Sequence, residues 1–370
     1  MTFKQLDIIQ PILKAIEIAG YTQPTEIQNR SIPTILNGND IIGCAQTGTG
    51  KTAAFAIPIL QLLHENPKKS RKIRALVVTP TRELAIQISD NFKDYKGDTK
   101  LNHLAIFGGV KQKAQVNAIK NGVDVLIATP GRLLDLMNQG FINLKEVEIL
   151  VLDEADRMLD MGFINDIKKI LKVVPQKRQT LFFSATMPKK IRQFAHSILN
   201  SPKEINVSPV SSTAESVTQS VYMVEQKQKQ QLLINLLKSQ DENRSLIFTR
   251  TKHGANRLIK TLTSLGINSA AIHGNKSQAS RQRALEDFKN NKLTVLVATD
   301  IAARGIDVEN LSFVINYEIP NHPETYVHRI GRTGRGGNFG EAVSFCSSTE
   351  LSDFKSIEKL IGLKIPINKN

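Results

Sequence analysis

The sequence predicts two tandem α/β domains, each a mostly parallel, doubly wound sheet flanked by helices. Short β-branched and Leu-rich runs alternate with helical patterns, and the alternation restarts after a Ser- and Thr-rich stretch. A length of 370 residues suits two domains, at the usual ~100 to 200 residues each.

In the first half the strand-like runs are 40–43, 75–78, 124–128, 148–152 and 180–184; in the second they are 245–248, 270–272, 294–298, 313–316 and 342–345. Runs this apolar, separated by helical segments, are those of strands buried on both faces. Between the two series, 207–220 (VSPVSSTAESVTQS) has no strong periodicity and reads as a linker. The expected division is a first domain over 1–207, a linker over 208–220 and a second domain over 221–370. No short fixed-period repeat is visible, which argues against a solenoid.

With 41% hydrophobic and 22% charged residues and no Trp, the chain is of the globular class rather than disordered or fibrous. It carries a net charge of +15, shared between 1–210 (28 basic, 19 acidic) and 211–370 (21 basic, 15 acidic). An anionic partner is implied for both halves. Only Cys44 and Cys346 are present, far apart, so neither a disulfide framework nor a zinc site is expected. No apolar leader and no run of 18 apolar residues occur, which predicts a cytoplasmic protein that does not span a membrane.

The run 40–43 leads into Cys44, Ala45, Gln46, Thr47, Gly48, Thr49, Gly50, Lys51 and Thr52, then a helical pattern. Strand, Gly-rich turn and helix form the context of a phosphate-binding loop. Gly48 and Gly50 let backbone N–H groups close on phosphate oxygens, Lys51 supplies a charge to the β- and γ-phosphates, and Thr52 offers a hydroxyl to Mg²⁺. Ala45 stands where the strict pattern has Gly. Ala45 through Thr52 are therefore assigned to ATP.

An apolar run, 149–152, precedes Asp153, Glu154, Ala155 and Asp156, which lie 102 residues beyond Lys51. Three acids in four residues are costly without a cation. By itself the tetrapeptide could be an acidic helix cap. After a buried strand, Asp153 is instead the Mg²⁺ partner, through water, and Glu154 polarises the attacking water.

These residues resemble the DEAD-box family of superfamily 2 RNA helicases, and further motifs follow in that family's order from Phe3 to Arg335. The resemblance implies two tandem RecA-like domains that hydrolyse ATP in the cleft between them and locally unwind or remodel RNA, largely independent of its sequence. Gly20-Tyr21 and 24–28 look like the family's Q motif, with Gln28 paired to adenine and Phe3 stacked on it. A glutamine amide can give one hydrogen bond and take one at adenine N6 and N7, whereas guanine offers only acceptors there. The family pattern assigns Pro80, Thr81, Arg82, Gly109, Thr129, Gly131 and Arg132 to RNA in the first domain. In the second it assigns Arg250, His273, Gly274, Gln278, Arg281 and Thr299.

Ser184 and Thr186 resemble the motif that couples hydrolysis to unwinding by bonding back to the acids, Asp156 among them. Gly305 and Asp307 match a nucleotide-contacting segment, Asp307 toward the ribose or the other domain. The stretch 328–335 (HRIGRTGR) packs three arginines and a histidine among glycines with no carboxylate inside it, which calls for an anionic partner. The resemblance gives Arg332 and Arg335 to the γ-phosphate and His328 to the acids. The implied cofactors are ATP and Mg²⁺; the implied partner is RNA, as single strands and short duplexes, bound by a monomer. Two rivals fit much of the same pattern: a DNA translocase on this scaffold, and an ATP-gated RNA clamp that hardly turns over.

Overall fold

The computed structural model describes residues 2–46, 48–68, 72–207, 217–239, 244–303, 311–334 and 340–368. The chain divides into two compact units, Met1–Ser208 and Pro209–Asn370. Unit 1 holds β1 (Ile41–Cys44), β2 (Ala75–Val78), β3 (His103–Ile106), β4 (Val125–Ala128), β5 (Ile149–Leu152), β6 (Gln179–Ser184) and β7 (Lys203–Asn206), in the order β3-β4-β2-β5-β6-β1-β7. Unit 2 holds β8 (Val217–Met223), β9 (Ser245–Thr249), β10 (Ser269–Ile272), β11 (Val295–Thr299), β12 (Phe313–Asn316), β13 (Gly340–Cys346) and β14 (Ile367–Asn368), in the order β10-β11-β9-β12-β13-β8-β14. The second order repeats the first position by position, and all the pairings given are parallel.

Strands β2, β4 and β5 are buried along their whole length, because parallel sheets are covered by helices on both faces. Arg74, fully buried at the start of β2, reaches across to Glu148 just before β5, with bonds of 2.8 and 3.0 Å. Burial pushes the Glu148 carboxyl up, but the Arg74 and Lys68 bonds outweigh it and hold it below its usual range.

Four strands go beyond the sequence reading. β3 and β7 are edge strands with partly exposed patterns, β14 has two residues, and β8 reads VTQSVYM with polar residues interspersed. The linker expected over 208–220 is corrected at its far end: Val217 to Ser220 belong to β8, paired to β13 from Val217↔Gly340 onward. Its Ser and Thr content masked a strand whose partner lies more than a hundred residues away. Among the described residues, no helix is long and apolar enough to cross a membrane.

Parallel pairing gathers the ends of the strands on one edge of each sheet, where open α/β sheets bind ligands. In unit 1 the loops after β1 through β6 all open there.

Candidate active site

The chain leaves β1 at Ala45, whose N–H donates to Ser184 O at 3.1 Å. Gly48 and Gly50 take φ of +85° and +87°, left-handed values that glycine adopts without strain. Gly50 caps the helix Lys51–Glu65, and a Cβ there would collide with the Gln28 amide. Thr49 Oγ1 donates to Gln46 O at 2.7 Å and braces the turn. The unpaired N–H groups of a helix start then face outward as an anion site.

Lys51, first residue of that helix, is only 6% exposed, and its Nζ has no hydrogen-bond partner among the described residues. An ammonium left buried and unpaired is unfavourable by several kcal/mol, about the effective desolvation of one ion. A triphosphate supplies the missing countercharge. Thr52 follows, partly buried; Thr47 lies outside the described residues.

Gln28 is buried on the helix Glu26–Leu36. Its Oε1 accepts from Thr25 N at 3.0 Å and its Nε2 donates to Gly50 O at 3.1 Å. One N–H and one lone pair of the amide remain, the set adenine asks for. Phe3 is buried in the core of unit 1. The structure gives it a core position rather than an open aromatic face, a difference from the reading of it as a stacking platform.

Asp153 N donates to Val78 O at 3.0 Å, continuing the β5–β2 pairing by one residue. Asp153 and Glu154 are each 2% exposed. Burial, which outweighs the attraction of Lys51, together with the charge of Glu154, pushes the Asp153 carboxyl up to about 7. Glu154 sits in the left-handed region, φ +53° and ψ +48°, at the start of the helix Ala155–Asp160. Its Oε2 meets Arg157 Nη1 at 2.7 Å. Asp156 Oδ2 accepts from Thr186 N at 2.9 Å and Thr186 Oγ1 at 2.8 Å. Asp156 N donates to Ser184 Oγ at 3.3 Å, and that hydroxyl donates to Thr186 O at 2.7 Å. The third acid of the cluster, Asp156, and the 184–186 segment thus form one bonded unit.

Among the described residues, no group of three His, Cys, Asp or Glu could hold a metal. Mg²⁺ keeps waters and phosphate oxygens as most of its ligands and takes few from the protein. Asp153 and Thr52 have the right chemistry for the protein's share of such a site.

On the same edge, Pro80 is buried and Thr81 Oγ1 caps the helix Arg82–Tyr95, accepting from Leu84 N at 3.3 Å. The Arg82 guanidinium fills the space over Gly109, where φ is +80° and a Cβ would collide with it. Thr129 precedes Pro130 at the start of the helix Pro130–Asn138. Arg132 Nη2 donates to Val110 O at 3.2 Å, while Gly131 is exposed in open space. Gln115, not singled out from sequence, bonds both the N–H and the carbonyl of Phe107 (3.2 and 3.1 Å) and pins this loop.

Unit 2 has a comparable edge. Arg250, read as an RNA contact, is engaged within the unit: Nε donates to Ile319 O at 2.6 Å and Nη2 to Asp353 Oδ2 at 3.1 Å, with Glu350 at 3.5 Å. His273 is buried, its Nε2 2.9 Å from Asn256 Oδ1. Burial and the charges of Lys276, Lys252 and Arg281 lower its basicity, so it is a neutral hydrogen-bonding group and not a cation. Gly274 is open, and Thr299 ends β11. Gln278 and Arg281 lie buried on the helix Gln278–Lys289.

His328 and Arg329 fall on the helix Pro323–Ile330, and Arg332 follows it, buried. No carboxylate lies within 328–335, but one reaches it from outside. Arg329 forks onto Asp300 at 2.6 and 2.8 Å, bonds Asn316 and Glu318 O, and lies over the Phe248 ring. The sequence argument failed for this arginine because its acid sits 29 positions upstream. Gly305, Asp307 and Arg335 lie outside the described residues.

A family model for DEAD/DEAH box helicases matches residues 25–194, and one for a helicase conserved C-terminal domain matches 228–337. The chain is 42% identical over 366 residues to the DEAD-box ATP-dependent RNA helicase RhpA of Helicobacter pylori, covering 99% of this chain and 74% of that one. It is 44% identical over 358 residues to the DEAD-box ATP-dependent RNA helicase CshA of Geobacillus kaustophilus, covering 97% and 76%. Among solved structures, Saccharomyces cerevisiae Dbp5 bound to RNA and ADP BeF3 matches with a TM-score of 0.90 at 30% identity, covering 99% of this chain and 95% of that one.

Proposed function

The chain belongs to the DEAD-box family of ATP-dependent RNA helicases, and from that premise we propose that it couples Mg²⁺-dependent ATP hydrolysis to local, sequence-independent remodelling of RNA. The observation that carries this is the buried, unpartnered Lys51 ammonium at a glycine-capped helix start, on the same sheet edge as Asp153 and Glu154.

Lys51 and the amides around Gly48 and Gly50 hold the phosphates, and Gln28 favours adenine with its remaining donor and acceptor. Asp153 and Thr52 would hold Mg²⁺, which when bound would neutralise phosphate charge. Glu154 orients the attacking water and takes its proton. Arg332 and Arg335 of unit 2 stabilise charge on the transferring phosphoryl group, so hydrolysis draws on both units. Asp156, Ser184, Thr186 and His328 tie the state of the nucleotide to the RNA-facing loops. By linkage, RNA that promotes the hydrolytic state must be bound more tightly in the presence of ATP by the same factor.

Arg82, Arg132, Gly109 and Gly131 in unit 1, with Gly274, Gln278, Arg281 and Thr299 in unit 2, contact phosphate and ribose. Arg250 and His273 join them as hydrogen-bonding groups whose present partners RNA would replace or share. Such contacts carry no base information and weaken with salt. The protein acts in the cytoplasm as a monomer.

The test is steady-state ATPase with RNA, with DNA of equal length and with neither, at low and high salt. Stimulation by RNA alone, falling with salt, is the expected result. Equal stimulation by DNA, or the same rate without nucleic acid, would overturn the reading.

A further inference from the structure

Directly after the acidic tetrapeptide comes Arg157, to which neither the motif reading nor the mechanism above gives a part. It is 1% exposed, and its Nη1 meets Glu154 Oε2 at 2.7 Å. Its backbone N–H donates to Asp156 Oδ1 at 3.0 Å. Nε and Nη2, the opposite edge of the guanidinium, have no hydrogen-bond partner among the described residues. Buried donors without partners are disfavoured, each by about 1 to 3 kcal/mol. Removing the guanidinium alone would leave the buried Glu154 carboxylate without its ion-pair partner.

Glu154 itself is held in a left-handed backbone conformation, unfavourable for a residue with a Cβ by about 1 to 3 kcal/mol. Three side-chain torsions remain free in a glutamate, and a water-orienting carboxylate must be fixed in one of their combinations.

We propose that Arg157 is a positioning residue for hydrolysis: its buried ion pair fixes one oxygen of Glu154 and leaves the other oxygen to the attacking water. This rests on the reading of Glu154 as the group that orients that water. Arg157 neither binds Mg²⁺ nor takes the proton; it acts through Glu154.

The experiment uses the full chain, with saturating RNA, and compares Glu154→Gln and Arg157→Met for kcat, KM for ATP and the affinity for ADP by calorimetry. Arg157→Met is expected to lower kcat by roughly 10- to 100-fold, part of what a misplaced general base forfeits, with KM and ADP affinity within about twofold. If Arg157→Met does not fold by circular dichroism, Arg157→Gln carries the same comparison with the same expected split.

If Glu154→Gln turns over at the native rate, the reading of Glu154 fails, and this inference with it. If Glu154→Gln is inactive while the folded Arg157 variant keeps native kcat, the inference alone fails. A parallel loss of kcat, KM and ADP affinity would overturn it as well, marking Arg157 as structural support for the loop.

Discussion

Burial and the attraction of Lys51 act in opposite directions on the Asp153 carboxyl, and burial, the larger of the two, sets a pH dependence. Burial raises the Asp153 carboxyl to about 7 from its usual 3.8. Between those values the folded state holds a proton that the unfolded state has released, so stability falls as pH rises through this window. Over the roughly three-unit shift the effect is on the order of 4 kcal/mol at about 1.36 kcal/mol per unit. Asp153→Asn removes it: in urea unfolding of nucleotide-free protein with chelator, native and variant are expected to be close at pH 4.5 and the variant more stable at pH 8. A constant difference across that range would contradict the shift. At this scale the sequence was legible wherever chemistry needs a residue type at a fixed spacing, as from Gly48 through Thr52 and across Asp153 to Asp156. It was not legible where a partner comes from elsewhere in the fold. Arg329 looked free until Asp300 was placed beside it, and the hold of Arg157 on Glu154 is an i,i+3 pairing that sequence could have suggested.

Between residues and the whole chain, the elements show where burial replaces pattern. Lys229, fully buried, bonds Glu350 Oε2 and the carbonyls of Tyr317 and Phe345, while Glu350 also accepts from Ile319 N and from the N–H and hydroxyl of Ser347. Burial pushes the Glu350 carboxyl up, but these bonds outweigh it and hold it below its usual range. This cluster stitches the ends of β12 and β13 to the start of the helix Leu351–Ile361. Lys229→Met leaves a buried carboxylate unpaired and is expected to destabilise unit 2 by about 3 to 5 kcal/mol, read from urea unfolding, with Glu350→Gln in the same chain recovering part of the loss. A loss under about 1 kcal/mol, as for an exposed pair, would show that the cluster contributes little. Nothing in the sequence marked Lys229 out from the other lysines. Likewise the central strands were legible because sheets covered on both faces read as apolar runs, while edge strands β3, β7 and β14 and the polar β8 carry no such signal.

On the scale of the whole molecule, two units share one strand order and divide the chemistry between them. Unit 1 holds the phosphate loop and the acids; unit 2 holds the arginines beyond the helix Pro323–Ile330. In the proposed mechanism these arginines contribute about 10³ to 10⁵ in rate, so unit 1 alone is expected to bind nucleotide and to lose most of its hydrolysis. The two-unit division was legible in the restart of the strand series past residue 207; the repeated order was not, because it is a property of pairing rather than of composition. The most direct test compares ATP hydrolysis, with saturating RNA, by the full chain and by residues 1–208 purified alone and checked for folding and ADP binding. The account predicts that the isolated unit binds ADP and hydrolyses ATP at least ~10³-fold more slowly. An isolated unit 1 as fast as the RNA-bound full chain would contradict it.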